Sequence, residues 1–347
     1  MKKAHRINFC FMRVAKRINR VSYWNQLYSL QCANTVKIII WILLISILGS
    51  QLFVVGAEKK IVVGFSQMEY NNMFRITETN SIKDEARKRG YQVLFTNAAG
   101  STTKQISDVR ELIAQKIDFL ILAPREYEGA APALKIAKRA KVPVILIDRD
   151  AAGKPGVDYV TLIASDFIQE GKRAALWLAK KMSYRANIIE LAGTLGASAA
   201  RDRAAGFRQG IIRYPGMRII TSQSGDFDRT IGQKVMENII QVYNGKFNAV
   251  YAQNDEMAIG AIQALKAAGI TPGKDVILVS IDGEQDGLKA IVAGELGASV
   301  ECSPIFGPKV FDVIEDLLKG EKIPTRIINT DRFFDAGNAR KFIEDAY

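Results

Sequence analysis

Val142-Pro143-Val144-Ile145-Leu146-Ile147-Asp148-Arg149-Asp150 is the stretch around which the rest of the chain is organised. An unbroken apolar run with β-branched residues and no polar alternation reads as a parallel strand buried on both faces. The run ends abruptly on an acid beside a base. In open α/β sheets, ligands sit beyond the carboxyl ends of the strands. Asp148 accepts hydrogen bonds and Arg149 donates a planar fork of them, a combination suited to a neutral polyol. The plainer reading of the pair is a salt bridge that caps the sheet.

Working outward, apolar strands alternate with helical patterns. Before the Asp148 strand lie strands at Ile61–Ser66, Tyr91–Phe95 and Phe119–Ala123, with helices at Asn72–Arg89, Thr103–Lys116 and Glu128–Ala140 between them. Gly90 supplies a helix stop, and Ile106, Val109 and Ile113 share one helical face. Tyr159–Ile163 reads as a crossing segment, after which the alternation resumes. Strands are expected at Asn187–Leu191, Met217–Ser222, Ala249–Gln253 and Val276–Ile281, with an extended piece at Ala298–Glu301. Helices are expected at Phe167–Met182, Ala199–Arg213, Arg229–Tyr243, Asp255–Ala268, Gln285–Ala293, Phe306–Lys319 and Gly337–Ala346. Strand and helix at this spacing mean βαβ units and parallel sheets. Two successive runs predict an α/β protein of two similar three-layer lobes, each a parallel sheet flanked by helices, joined by a hinge.

The formal net charge of +12 over 347 residues suggests nucleic acid until the charges are located. Residues 1–57 hold eight of the 48 bases and none of the 36 acids, so the remainder carries 40 against 36, a net of +4. Those residues combine a basic start, the apolar run Ile38–Leu48 and the small-x-small ending Val55-Gly56-Ala57. This is the pattern of a secretory signal cleaved after Ala57, leaving Glu58 first. Met12 is a later candidate start, and Val36–Val55, uncleaved, is long enough for an anchor. No cysteine stands at the cleavage point, which argues against a lipid anchor. The one histidine, His5, lies in the leader, and Cys302 is the only cysteine after it. The mature chain therefore has no intrachain disulfide, no histidine base and no histidine-containing metal site or triad.

Polar residues recur at the strand ends: Asn72, Phe74 and Arg75 after the first, Asp148 and Arg149 after the fourth. The second half adds Arg201, Gly225-Asp226-Phe227, Asn254, Asp282 and Glu301. Six such ends facing one interlobe cleft make a ligand site, with Phe74 and Phe227 as flat walls for a sugar ring. Each has a structural alternative: core for the phenylalanines, a solvated helix face for Arg201, an N-cap for Asn254 and a strand-end pair for Glu301. Gly193-Thr194-Leu195-Gly196 lacks the Lys-Ser/Thr ending and the full glycine spacing of a nucleotide loop. Asp148 and Asp282 are the candidate pair for a glycosidase, a chemistry that requires their pKa values to be split.

Gly64-Phe65-Ser66-Gln67, Ile147-Asp148-Arg149, Ala199-Ala200-Arg201-Asp202-Arg203, Gly225-Asp226-Phe227, Asn254-Asp255-Glu256-Met257 and Ser280-Ile281-Asp282-Gly283 carry a family likeness. Over residues 60–347 the chain resembles the type I, ribose-binding-like periplasmic sugar-binding proteins of ABC importers, and most closely their galactofuranose-binding branch. The resemblance implies a monosaccharide receptor that closes on its ligand and presents it to permease subunits. It further implies a monomer without cofactor or metal, periplasmic and touching the membrane only through the importer. Asp148, Arg149, Arg201, Asn254 and Asp282 match hydrogen-bonding positions and Phe227 a stacking position. Arg75 matches the branch's arginine, while Phe74 stands where the branch has tryptophan. Residues 68–73 differ from the branch, and Arg125-Glu126-Tyr127 replaces an uncharged stretch. The resemblance places one lobe in residues 58–164 with 303–330 and the other in 165–302 with 331–347, crossing near Ser165, Cys302 and Thr330. A sugar-sensing transcription regulator of the same core would need a DNA-reading helix-turn-helix where the apolar run stands. A secreted glycosidase is the other alternative.

Overall fold

The computed structural model describes residues 60–347 and, before them, only Trp41. The expected leader and its cleavage point after Ala57 lie outside the described residues. The first lobe is built from β1 (Val62–Gln67), α1 (Met73–Arg89), β2 (Gln92–Asn97), α2 (Thr102–Ala114), β3 (Phe119–Leu122), α3 (Ala131–Arg139), β4 (Val144–Ile147) and β5 (Thr161–Ala164). The second comprises α4 (Phe167–Lys181), β6 (Ala186–Ala192), α5 (Ser198–Ile211), β7 (Met217–Ser224), α6 (Arg229–Tyr243), β8 (Ala249–Ala252), α7 (Asp255–Ala267), β9 (Ile277–Asp282), α8 (Gln285–Val292) and β10 (Ala298–Glu301). The chain then gives α9 (Gly307–Leu318) and β11 (Arg326–Ile328), followed by β12 (Phe333–Asp335) and a 3₁₀ turn, Ala339–Asp345.

Two six-stranded sheets result, ordered β2-β1-β3-β4-β5-β11 and β7-β6-β8-β9-β10-β12. The orders are equivalent, and in both the chain reverses direction across the sheet between its first and third strands. Every pairing is parallel except β10 with β12. Helices cover both faces of the first sheet: Phe119 and Ile121 of β3 pack in one apolar cluster, Leu120 and Leu122 in another. That two-sided burial is why β3 and β4 read as continuous apolar runs. The chain passes between the sheets three times, after β5, β10 and β11.

Local chemistry sets the helix ends that matter for the cleft. Asn72 caps α1 by accepting from the Arg75 N–H at 3.0 Å, and Gly90 ends that helix with φ +80°. Asn254 caps α7 by accepting from the Met257 N–H at 3.0 Å.

Besides the edge strands β11 and β12, which the sequence reading lacks, the fold differs from it in three places. Residues 161–164 are a strand in register with β4, where a crossing segment was expected. The helix expected from Glu128 begins only at Ala131, because Pro132 suits the first helical turn and the residues before it form turns. The C-terminal helix expected over 337–346 is a short 3₁₀ turn.

Candidate functional site

The carboxyl ends of β1, β4, β8 and β9, with the loop after β7 and the start of α5, converge on one cavity. Glu69, Asn72, Phe74, Arg75, Asp148 and Arg149 line it from the first lobe, and Ala199, Arg203, Phe227, Asn254 and Asp282 from the second. This is the switch-point position, where two strands send their connections to opposite faces.

On the first lobe the fully buried Arg75 organises the wall. Its Nη2 donates to Asp148 Oδ2 at 2.7 Å and its Nη1 to Glu78 Oε2 at 2.8 Å. Burial pulls its pKa down, but the carboxylates of Asp148 and Glu78 outweigh that and hold it above the ordinary value. Asp148 thus has Arg75 as its close partner, not Arg149 as expected, because Arg149 Nε stands 3.6 Å away. Arg149 instead donates from Nη1 to the Arg125 carbonyl at 3.0 Å and keeps a buried Nε without a partner. Burial, reinforced by the Arg75 charge, pushes its pKa down to about 10. Arg149 is therefore a guanidinium whose remaining donors await an acceptor.

On the second lobe Arg203 plays the corresponding part. It donates to Glu170 Oε2 at 2.7 Å, to the Gln253 carbonyl at 2.7 Å and to Asp282 Oδ1 at 3.0 Å. This geometry needs α4 and α5 in close contact: a Cβ on Gly171 would stand 2.2 Å from the Arg203 carbonyl oxygen, and one on Gly206 2.1 Å from that of Ile168. Burial raises the carboxyls, that of Glu170 to about 7 and that of Asp282 well above its usual range. Phe227 lies between the two cations, with Arg149 5.1 Å and Arg203 5.7 Å from its ring centre. Its ring fits only because position 193 is glycine, where a Cβ would come within 1.9 Å of it.

Asp148, Asp226, Phe227 and Asp282 all adopt positive φ (59°, 54°, 58° and 121°). Non-glycine residues are strained there, and three of these four, Asp148, Phe227 and Asp282, line the cavity, which marks a functional constraint. Among the described residues, no group of three or more His, Cys, Asp or Glu side chains is placed to hold a metal ion.

Two expected residues are elsewhere. Arg201 points away, paired with Asp202 at 2.7 Å over the Tyr127 ring, its side chain 51% exposed. Arg203 occupies the cavity instead. Ala199, Arg203, Gly206, Phe207 and Gly210 form the buried face of α5, a helical phase readable from the sequence that excludes Arg201. Glu301 does not reach the cavity, since it is held by Arg332 through its backbone N–H at 2.7 Å and its guanidinium at 2.5 Å. Asn72 and Asn254 line the cavity and cap helices at once, and the Asn254 amide also donates to the Phe227 carbonyl at 3.1 Å. Glu69 had no sequence signal, being an acid in the irregular segment between β1 and α1.

Comparison with known proteins bears on this arrangement. The chain is 41% identical to the galactofuranose-binding protein YtfQ of Escherichia coli over 292 residues, covering 83% of this chain and 92% of that one. It is 38% identical to the ribose import binding protein RbsB of Bacillus subtilis, over 78% of this chain and 86% of that one. The periplasmic binding component of the arabinose ABC transporter of Shewanella sp. ANA-3, solved with α- and β-L-arabinofuranose, superposes with a TM-score of 0.79. That match has 43% identity and covers 82% of this chain and 95% of the other. Residues 63–322 match the periplasmic binding protein domain family, and with its paired lobes and the cavity between them the chain belongs to that family.

Proposed function

We propose that the chain captures a monosaccharide of the galactofuranose, hexose or pentose type in the cleft between its lobes and delivers it to an ABC importer without altering it chemically. The observation that carries this reading is the pairing of two of the cleft's buried arginines with carboxylates, which leaves Arg149 to donate to a ligand. Arg75 is engaged by Asp148 and Glu78, and Arg203 by Glu170 and Asp282. A ligand that fits this wall carries no net charge, offers hydroxyls to donors and acceptors alike, and presents apolar faces to Phe74 and Phe227. The sugars named for the relatives have that chemistry.

The same reading includes export, with cleavage after Ala57, and permease subunits as the partner. It takes the receptor as a monomer that binds no nucleic acid. Isothermal titration against free galactose, arabinose, ribose and fructose tests it, with recovery of the bound sugar afterwards. One of these should bind at about micromolar Kd, near −8 kcal/mol, and return unchanged. Conversion of the sugar, or no binding across neutral sugars, would overturn the reading.

A further inference from the structure

A second cavity, of about 430 Å³, adjoins the first and shares Glu69 with it. It is lined by Tyr70, Asn71, Asn97, Ala99, Gly100 and Arg125 of the first lobe and Asp226 of the second. Its chemistry repeats that of the inner cavity in a more open setting. The Tyr70 ring is 40% exposed and is fixed edge-on to Phe95 at 6.0 Å. Neither the Tyr70 hydroxyl, nor the Asn71 side chain, nor the Asn97 amide nitrogen makes a hydrogen bond within the described residues.

Arg125 stands at the junction. Its guanidinium lies 3.5 Å from Glu69 and 3.5 Å from Asp226. Charge-assisted hydrogen bonds run nearer 2.7–2.9 Å, so neither contact uses the full donor capacity of the group. An exposed aromatic face, free amides and an under-used guanidinium beside a carboxylate are the parts of a saccharide site.

We propose that this outer cavity is a subsite for a second sugar ring, so that the ligands of this protein include short furanose-containing disaccharides. The proposal rests on the sugar reading of the inner cleft. A hydroxyl of the inner ring held against Glu69 is the one through which a glycosidic bond leads outward. The second ring then stacks on Tyr70 and bonds to Asn71, Asn97 and Arg125.

Titration calorimetry with galactose and arabinose, and with galactofuranobiose and arabinofuranobiose, tests it on the full chain and on Tyr70→Ala and Asn71→Ala. Both side chains are exposed and make no hydrogen bond, so Asn71→Ala should melt as the unsubstituted protein does and Tyr70→Ala, which loses only its edge contact with Phe95, should stay folded and melt slightly lower. At least one furanobiose should bind as tightly as its monosaccharide. Tyr70→Ala should weaken that binding about three- to tenfold while leaving the monosaccharide within about twofold, as a single stacking contact predicts. A monosaccharide that binds while both furanobioses are excluded overturns the outer subsite and leaves the function standing. Equal weakening of both sizes by Tyr70→Ala also overturns it. Failure of every sugar overturns the functional reading and the subsite with it.

Discussion

Arg75 Nη2 and Asp148 Oδ2 stand 2.7 Å apart, both side chains almost wholly buried, in a contact that joins the first turn of α1 to the end of β4. Removing one partner of such a pair leaves the other charge desolvated, which costs about 3–5 kcal/mol of stability. Asp148→Ala should therefore lower the denaturation midpoint sharply as well as abolish sugar binding. Urea denaturation together with calorimetry checks this. An Asp148→Ala protein of ordinary stability would mean that Glu78 alone satisfies Arg75.

Arg149 should behave differently. Its Nε is buried without a partner, and burial already depresses its pKa. Arg149→Met should leave stability unchanged or slightly raised, because a poorly compensated charge is removed. Sugar affinity should fall by about 1.5–3 kcal/mol, the value of a hydrogen bond to a charged donor. Equal losses of stability in Asp148→Ala and Arg149→Met would contradict the distinction between them.

Arg201 and Arg203 are two residues apart on α5 and face opposite ways. Arg201→Ala should keep sugar affinity within about twofold, since an exposed ion pair contributes little. Arg203→Ala removes the shared partner of Glu170 and Asp282, and should abolish binding and destabilise the second lobe. Thermal melts and calorimetry of the two variants separate these outcomes, and a large affinity loss in Arg201→Ala would return it to the site.

The contrast between these arginines shows what the sequence makes legible. Phe119–Leu122 and Val144–Ile147 are continuous apolar runs because helices bury both faces, so their strand character is local information. Asp148, Phe227, Asn254 and Asp282 follow from that framework, as residues at the ends of strands or just beyond them. Arg203 was recoverable only from the phase of α5, where three arginines within eight residues blur the choice. Arg326–Ile328 and Phe333–Asp335 are three-residue edge strands whose pairing is dictated by β5 and β10 far away in sequence. The Arg75–Asp148 pair spans 73 positions, and no local pattern announces it.

Glu170 gives the stability a pH dependence. It is buried against Arg203, with Asp331 and Cys302 nearby, and burial raises its carboxyl from 4.5 to about 7. Between those values the native protein holds a proton that the unfolded chain has released. Stability is thus greater on the acid side and falls as pH rises through the window, by up to about 3 kcal/mol. Glu170→Gln keeps an acceptor for Arg203 and removes the titration. Urea unfolding between about pH 5 and 8 should show a shallower slope in the variant. Identical slopes would mean that Arg203 keeps Glu170 ionised throughout.

The lobes also touch at places where no sugar is needed. The Tyr127 N–H donates to the Gly196 carbonyl at 2.8 Å, the Asp150 N–H donates to Ser198 Oγ at 2.8 Å, and Arg125 lies 3.5 Å from Asp226. All three join loops of the first lobe to the second across the cleft, so they bias the receptor toward closure before a ligand arrives. A ligand that touches both lobes binds through the closed population, and its apparent affinity scales with that fraction. Ser198→Ala removes one such bond, worth about 1 kcal/mol, and so should weaken every sugar by about fivefold without changing their order. Small-angle scattering should find a larger radius of gyration for the ligand-free variant than for the unsubstituted protein, and the same radius for both at saturating sugar. Sugar-dependent changes in affinity would place Ser198 in ligand recognition. An unchanged ligand-free radius would show that the contact contributes nothing to closure.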